Sequence, residues 1–89
     1  MRMVDLNQLY YFAKIVEYGG ISEASKHLRI PKSKLSRHLA ALEEELGVRL
    51  IHRTTRHFSV TDIGQTYYTH CQAMLDKAEI APPKVNFLP

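Results

Sequence analysis

Residues 22–46 read SEASKHLRIPKSKLSRHLAALEEEL, and the fold turns on this stretch. It divides into two helical segments with a tight turn between them. In the second segment Leu35, Leu39, Leu42 and Leu46 recur at steps of four, three and four, which keeps them on one face of a helix. Lys32, Lys34 and Arg37 lie off that stripe, with Ser33, Ser36 and His38 among them. A short helix held to a core by leucines, with lysine, arginine and serine turned outward, suits a DNA major groove. An ordinary amphipathic helix with a solvated face has the same pattern. The flanking sequence has to separate the two.

Charge location suits the groove, and a merely solvated charge run would show it equally. The net charge of +3 is small, but Lys26, Arg29, Lys32, Lys34, Arg37, Arg49, Arg53 and Arg56 put eight of the twelve cations in about a third of the chain. Their local opponents are Glu43, Glu44 and Glu45, late in the second segment. Such a concentration is the electrostatic footprint of a polyanionic partner. At 89 residues the chain forms one small domain. A domain of this size buries only about 60–65% of its extended surface, so burial against a second copy would add to a modest core. No stretch approaches the roughly 18 apolar residues of a membrane helix, and the N-terminus MRMVDLNQLYYF lacks the layout of a signal peptide. The expected compartment is the cytoplasm. A lone cysteine, Cys71, agrees with a reducing environment and reads as a small apolar residue on a helix.

Upstream of the central stretch, Asp5 is placed to cap a first helix, with Gln8 reaching back in the D-x-x-Q form of a capping box. Leu6, Leu9, Phe12, Ala13 and Val16 form its apolar face, and Gly19-Gly20 ends it near Tyr18. Tyr10, Tyr11 and Phe12 are assigned to core and interface. Ser22 is the expected cap of the second helix, Arg29-Ile30 its turn, and Pro31 the opening of the third helix, which Gly47 closes. Small Ala24 and Ser25 let another helix cross closely.

Downstream, VRLIHRTTRHFSVTD puts Val48 and Leu50 on one parity, and Phe58 and Val60 likewise. Two short strands joined around residues 54–56 would make a β-hairpin, a wing whose Arg53 and Arg56, with His57, can meet phosphates or a narrow minor groove. Thr61 caps a fourth helix over about residues 62–79, with Asp62 against its dipole. Ile63, Tyr67, Cys71 or His70, Met74 and Ala78 recur at steps of three and four, and Leu75 broadens the stripe. This helix carries more apolar surface than so small a core uses, so it is expected to dimerise. Pro82-Pro83 stop it, and KVNFLP is a tail.

Enzyme constellations fail on inspection. There is no glycine-rich phosphate loop, no H-E-x-x-H and no C-x-x-C. His27, His38, His52, His57 and His70 offer no i, i+4 pair, so neither a metal nor a cofactor is implied. Glu43, Glu44 and Glu45 are consecutive and fan around the helix instead of converging as an acid/base pair.

These residues together resemble a family. ISEASKHLRIPKSKLSRHLAALEEELGVRLIHRTTRHFSVTDIG looks like the N-terminal DNA-binding domain of LysR-type transcriptional regulators, a likeness spanning about residues 5–78. Its most specific parts are L-S-R-H-L followed by A-L-E-E-E-L-G-V-R-L, the R-T-T-R wing, and the T-D-I-G opening of the long helix. The resemblance implies a mainly α winged helix-turn-helix, with a three-helix core and a two-stranded wing, followed by a long dimerisation helix. It divides the chain into residues 1–61, a linker helix 62–80 and a tail 81–89. The recognition positions become Lys32, Ser33, Lys34, Ser36 and Arg37, with His38 beside them, Ser22 on phosphate and Arg53 and Arg56 in the wing. The implied partner is double-stranded DNA, bound by a homodimer joined through Ile63, Tyr67, Cys71, Met74, Leu75 and Ala78.

Three departures qualify this. Pro31-Lys32-Ser33 stands where many members have Ser-Gln-Pro, which exchanges a glutamine suited to adenine for a cation. Ser25 replaces a common alanine. Members normally continue into a large effector-binding domain, so no small-molecule effector is expected within this chain. Two rival readings remain: a winged helix whose basic face meets an acidic protein, and an RNA-binding winged helix.

Overall fold

In the computed structural model, which describes residues 5–52 and 57–77, four helices follow one another: α1 (Leu6–Tyr18), α2 (Ile21–Leu28), α3 (Lys32–Leu46) and α4 (Asp62–Lys77). α1 lies at the centre and packs against all three others, while α2 also packs on α3. Among the described residues no Cα of α3 comes within 8 Å of a Cα of α4.

Local chemistry accounts for each boundary. Asp5 caps α1 as expected, but its carboxylate accepts from Asn7 N–H at 2.9 Å, not from Gln8. The Gln8 N–H instead bonds the Asp5 carbonyl at 2.9 Å, which excludes the reciprocal capping box. At the other end Gly19 takes a left-handed φ of 80°, and Gly20 N–H returns to the Ile15 carbonyl at 2.9 Å. Gly20 then reaches φ 147° and leads directly into α2, its carbonyl accepting from Ala24 N–H at 3.0 Å. Glycine tolerates that φ without a Cβ clash, and the helix starts earlier than Ser22 would allow as a cap. Ser22 therefore lies in the first turn of α2, exposed.

The turn into α3 places Arg29 in the left-handed region at φ 59°. Ser25 holds it: the hydroxyl donates to the Ile30 carbonyl at 2.5 Å, and the Ser25 carbonyl accepts from Arg29 N–H at 2.9 Å. Ser25 is thus more than a small residue at a crossing. Pro31 stands immediately before α3, and its carbonyl accepts from Lys34 and Leu35 N–H at 3.0 and 3.2 Å.

The leucine periodicity places the core. Leu35, Leu39 and Leu42 are buried with Leu9, Phe12, Ala13 and Ile15 of α1, Ala24 of α2, and Leu50, Ile51 and Cys71. Leu46, Leu28 and Ile30 pack at its margin. Each fully buried leucine contributes about 1.5–3 kcal/mol relative to exposure.

The base of the wing is present as one antiparallel bridge, Ile51 to Val60, with His52 N–H on the Ser59 carbonyl and Thr61 N–H on the Leu50 carbonyl, both at 3.0 Å. No longer strand forms among the described residues, and the expected turn at 54–56, with Arg53 and Arg56, lies outside them. The parity expected of Val48 and Leu50 also breaks down, because Leu50 and Ile51 are both buried. Their consecutive N–H groups turn to the same Glu43 Oε2, at 2.8 and 3.2 Å. A regular strand sends successive N–H groups to opposite sides, so this segment is bent onto α3.

Thr61 caps α4, its hydroxyl oxygen accepting from Gly64 N–H at 2.9 Å. Gly64 is buried where an added Cβ would overlap the Leu50 carbonyl oxygen and come within 2.7 Å of Val60 Cγ1. The apolar stripe of α4 divides. Cys71 is wholly buried, Tyr67 packs with its ring centroid 6.0 Å from that of Phe12, and Leu75 packs at the core margin. Ile63 and Met74 are 51% and 43% exposed. At about 100° per residue, Ile63 and Met74 fall on one edge of the stripe and Cys71 and Leu75 on the other. α1 covers only the second edge. The grouping of Cys71 with an outward dimer face is corrected on this ground, since its side chain is spent inside its own core. Ala78 lies outside the described residues.

Candidate nucleic-acid interface

The first two turns of α3 carry the densest exposed cationic surface described. Lys32, Ser33, Lys34, Ser36 and Arg37 are all exposed, while Leu35 between them is fully buried and fixes their direction. Lys34 and Arg37 line a shallow groove with Gln8, His38, Ala40, Ala41 and Glu44. Neither enters an ion pair or side-chain hydrogen bond among the described residues.

Three cations elsewhere pair with acids of their own chain. Lys14 on α1 bonds Glu17 at 3.1 Å and lies 5.6 and 6.0 Å from the ring centres of Tyr10 and Tyr18. Burial lowers its pKa, but the bond and charge of Glu17 and the two tyrosines outweigh that, and the net shift is upward. Lys26 pairs with Glu23 at 3.6 Å and Arg49 with Glu43 at 3.5 Å. α3 therefore gathers three exposed cations over a packed leucine face with no ion pair among the described residues, and Arg29, exposed in the turn before it, adds a fourth.

His38 is less available than its neighbours. It is half-buried, with its ring centroid 4.7 Å from Tyr11, so the ring faces back toward α1. His27, exposed, is stacked on Tyr18 at 4.3 Å with planes 4° apart. Among the described residues no group of three or more metal-binding side chains converges, and no helix is long and apolar enough to cross a membrane.

A family model described as bacterial regulatory helix-turn-helix protein, lysR family, matches residues 6–65. The chain belongs to the LysR family. An HTH-type transcriptional regulator of Xanthomonas campestris pv. campestris is 42% identical over 84 residues, covering 94% of this chain and 24% of the relative. The HTH-type transcriptional activator AaeR of Escherichia coli K12 is 36% identical over 77 residues, covering 86% of this chain and 25% of AaeR. The chain thus spans about a quarter of the length of these curated relatives. The structure of the BenM DBD in complex with catB site 1 DNA is similar at a TM-score of 0.81 and 33% identity, over 85% of this chain and 82% of that one. Oxidised OxyR of Corynebacterium glutamicum is similar at 0.81 and 38% identity, over 89% of this chain and 26% of that one.

Within this LysR-family fold, sequence reasoning missed one buried residue on the inner face of α3, behind the cationic surface. The fan of Glu43, Glu44 and Glu45 around α3 holds, but Glu43 points inward and is only 6% exposed. Its position gave the signal: four residues after Leu39 and three before Leu46, it shares the buried leucine face. The carboxylate survives there because it accepts the Leu50 and Ile51 amides.

Proposed function

We propose that this LysR-family chain is the DNA-reading portion of a transcriptional regulator, binding duplex DNA sequence-specifically with α3 in the major groove. The observation that carries the reading is the exposed, unneutralised Lys32, Lys34 and Arg37 on a helix whose opposite face is locked into the core. The likeness to a chain solved with DNA supports it. Arg37 and Lys34 reach base edges, whereas Lys32 and Ser22 hold phosphate, with Arg53 and Arg56 doing so from the wing. Residues 1–61 act as the reader, 62–80 as the linker and 81–89 as a tail. Two copies join through the outer edge of α4, where Ile63 and Met74 are exposed, and read inverted half-sites about 34 Å apart. The reading places its action with the chromosome, in the cytoplasm, and assigns it no catalysis.

Selection of bound sites from random duplexes at about 150 mM salt is the test. Enrichment of an inverted repeat, with binding that falls steeply as salt rises, is expected. Binding without any enriched sequence would return the chain to a general basic module, and stronger competition by RNA than by duplex DNA would favour the RNA reading.

A further inference from the structure

Among the described residues, the backbones of the helix expected to read DNA and the helix expected to join two copies stay more than 8 Å apart, Cα to Cα. Besides α1, which packs on both, the described connection between them is residues 49–51, and these are gripped from two sides. From α3, Glu43 Oε2 accepts the Leu50 and Ile51 amides, while Oε1 lies 3.5 Å from the Arg49 guanidinium. From the start of α4, the Thr61 hydroxyl donates to the Arg49 carbonyl at 2.7 Å, with the Leu50 carbonyl at 3.2 Å. Thr61 N–H also binds the Leu50 carbonyl at 3.0 Å, and Gly64 packs against that same oxygen. Amides are thus held by α3 and carbonyls by α4, on the same three residues.

We propose that Glu43 and Thr61 are positioning residues that clasp residues 49–51 and thereby set the angle between α3 and α4. In a dimer joined through α4, that angle determines how far apart the two recognition helices lie and how each meets its groove. Glu43 and Thr61 therefore select operator half-site spacing without touching DNA. The proposal rests on the dimeric DNA-reading function above.

Two readouts separate the proposal from that function. Nitroxide labels at exposed positions 40 and 69, introduced as Ala40→Cys and Thr69→Cys, report the α3–α4 distance without DNA or dimer contacts. The wild-type background should give one narrow distribution, and Glu43→Ala and Thr61→Val should each at least double its width. Glu43→Gln keeps an oxygen for both amides and Thr61→Ser keeps the hydroxyl, so both should restore the narrow distribution. The second readout is binding to operators whose spacing is lengthened by one base pair. Wild type should lose on the order of tenfold, because one step shifts and rotates the second half-site. Glu43→Ala and Thr61→Val should lose less than about threefold, with unchanged affinity for a single half-site. Should Glu43→Ala fail to fold, Thr61→Val against Thr61→Ser carries the same comparison. Distributions as narrow in both disruptive variants as in wild type would overturn the clasp and leave α1 alone setting the angle. If wild type tolerates any spacing, the dimeric reading falls, and the label distances still judge the clasp.

Discussion

Helices α3 and α4 each press one stripe against α1 and turn the other side outward, yet what they expose differs in kind. α3 exposes lysine, arginine and serine over fully buried leucines. The outer edge of α4 carries Ile63 and Met74, both more than two-fifths exposed, set among polar residues. Exposed cations without counter-ions keep their attraction for a polyanion, and water solvates them at no great cost. Exposed apolar side chains gain nothing from water and about 25 cal/mol per Å² from being covered. One amphipathic plan therefore leaves a cationic face on α3 and a partly apolar edge on α4, and the proposed function assigns the first to DNA and the second to another copy.

The sharpest way to break this contrast is to place a charge on α4. Met74→Glu should separate the copies and lower affinity for an inverted-repeat operator by about 10²–10⁴, because the second half-site contact stops being intramolecular. Sedimentation and operator titration check it together. A dimer that persists would move the interface off this edge of α4.

The inner side of α4 gives the next largest effect. Burial pushes the Cys71 thiol up from 9.0 to about 11, so below pH 9 the folded chain should hold roughly a hundredfold less thiolate than a free thiol. Alkylation at pH 8 should accordingly require unfolding. Because the folded pKa is the higher one, the associated stability is complete below pH 9 and is lost as pH rises through about 11. Tyr67 and Tyr68, both raised chiefly by burial, shift in the same direction. Denaturant midpoints across that window should fall, and the fall should lessen in Cys71→Ala. Rapid native labelling at pH 8 would contradict the inward placement of Cys71.

On α3, Arg37→Ala should remove about 1–3 kcal/mol of discrimination between operator and random duplex, while the protein remains folded. Competition binding measures this. Unchanged preference would take Arg37 out of the base-reading set and leave it on phosphate.

What could be read in advance divides along physical lines. The leucine steps of α3, the Gly19 and Gly47 stops and the Thr61 cap depend on a few neighbouring residues, and they emerge as expected. Family likeness then supplied the arrangement of the four helices. The start of α2 was misjudged because Gly20, leaving a left-handed turn, competes with Ser22 as the entry point. Glu43 was hidden by its neighbours: three consecutive glutamates look alike until each is set against the leucine face. The two edges of α4 were merged because periodicity shows the width of a stripe, whereas the share of it that α1 covers depends on tertiary packing. The alternation of Val48 and Leu50 predicts a strand, but Glu43 draws two successive amides to one side and the segment bends onto α3.

The smallest effect separates phosphate contact from base reading within α3 itself. Lys32 occupies the first position of the helix, one turn before the Arg37 region, and is exposed. If it meets phosphate, Lys32→Ala releases about one fewer counterion, and the slope of log affinity against log salt becomes shallower by about 0.9. Between 50 and 200 mM salt that amounts to about a threefold to fourfold smaller loss of binding, equal for operator and random duplex. Arg37→Ala should instead weaken the operator far more than random DNA. Titrations of both duplexes at several salt concentrations distinguish the two residues. A Lys32→Ala variant that loses operator preference with no change in slope would make Lys32 a base reader, at the position where a lysine stands in place of a common glutamine.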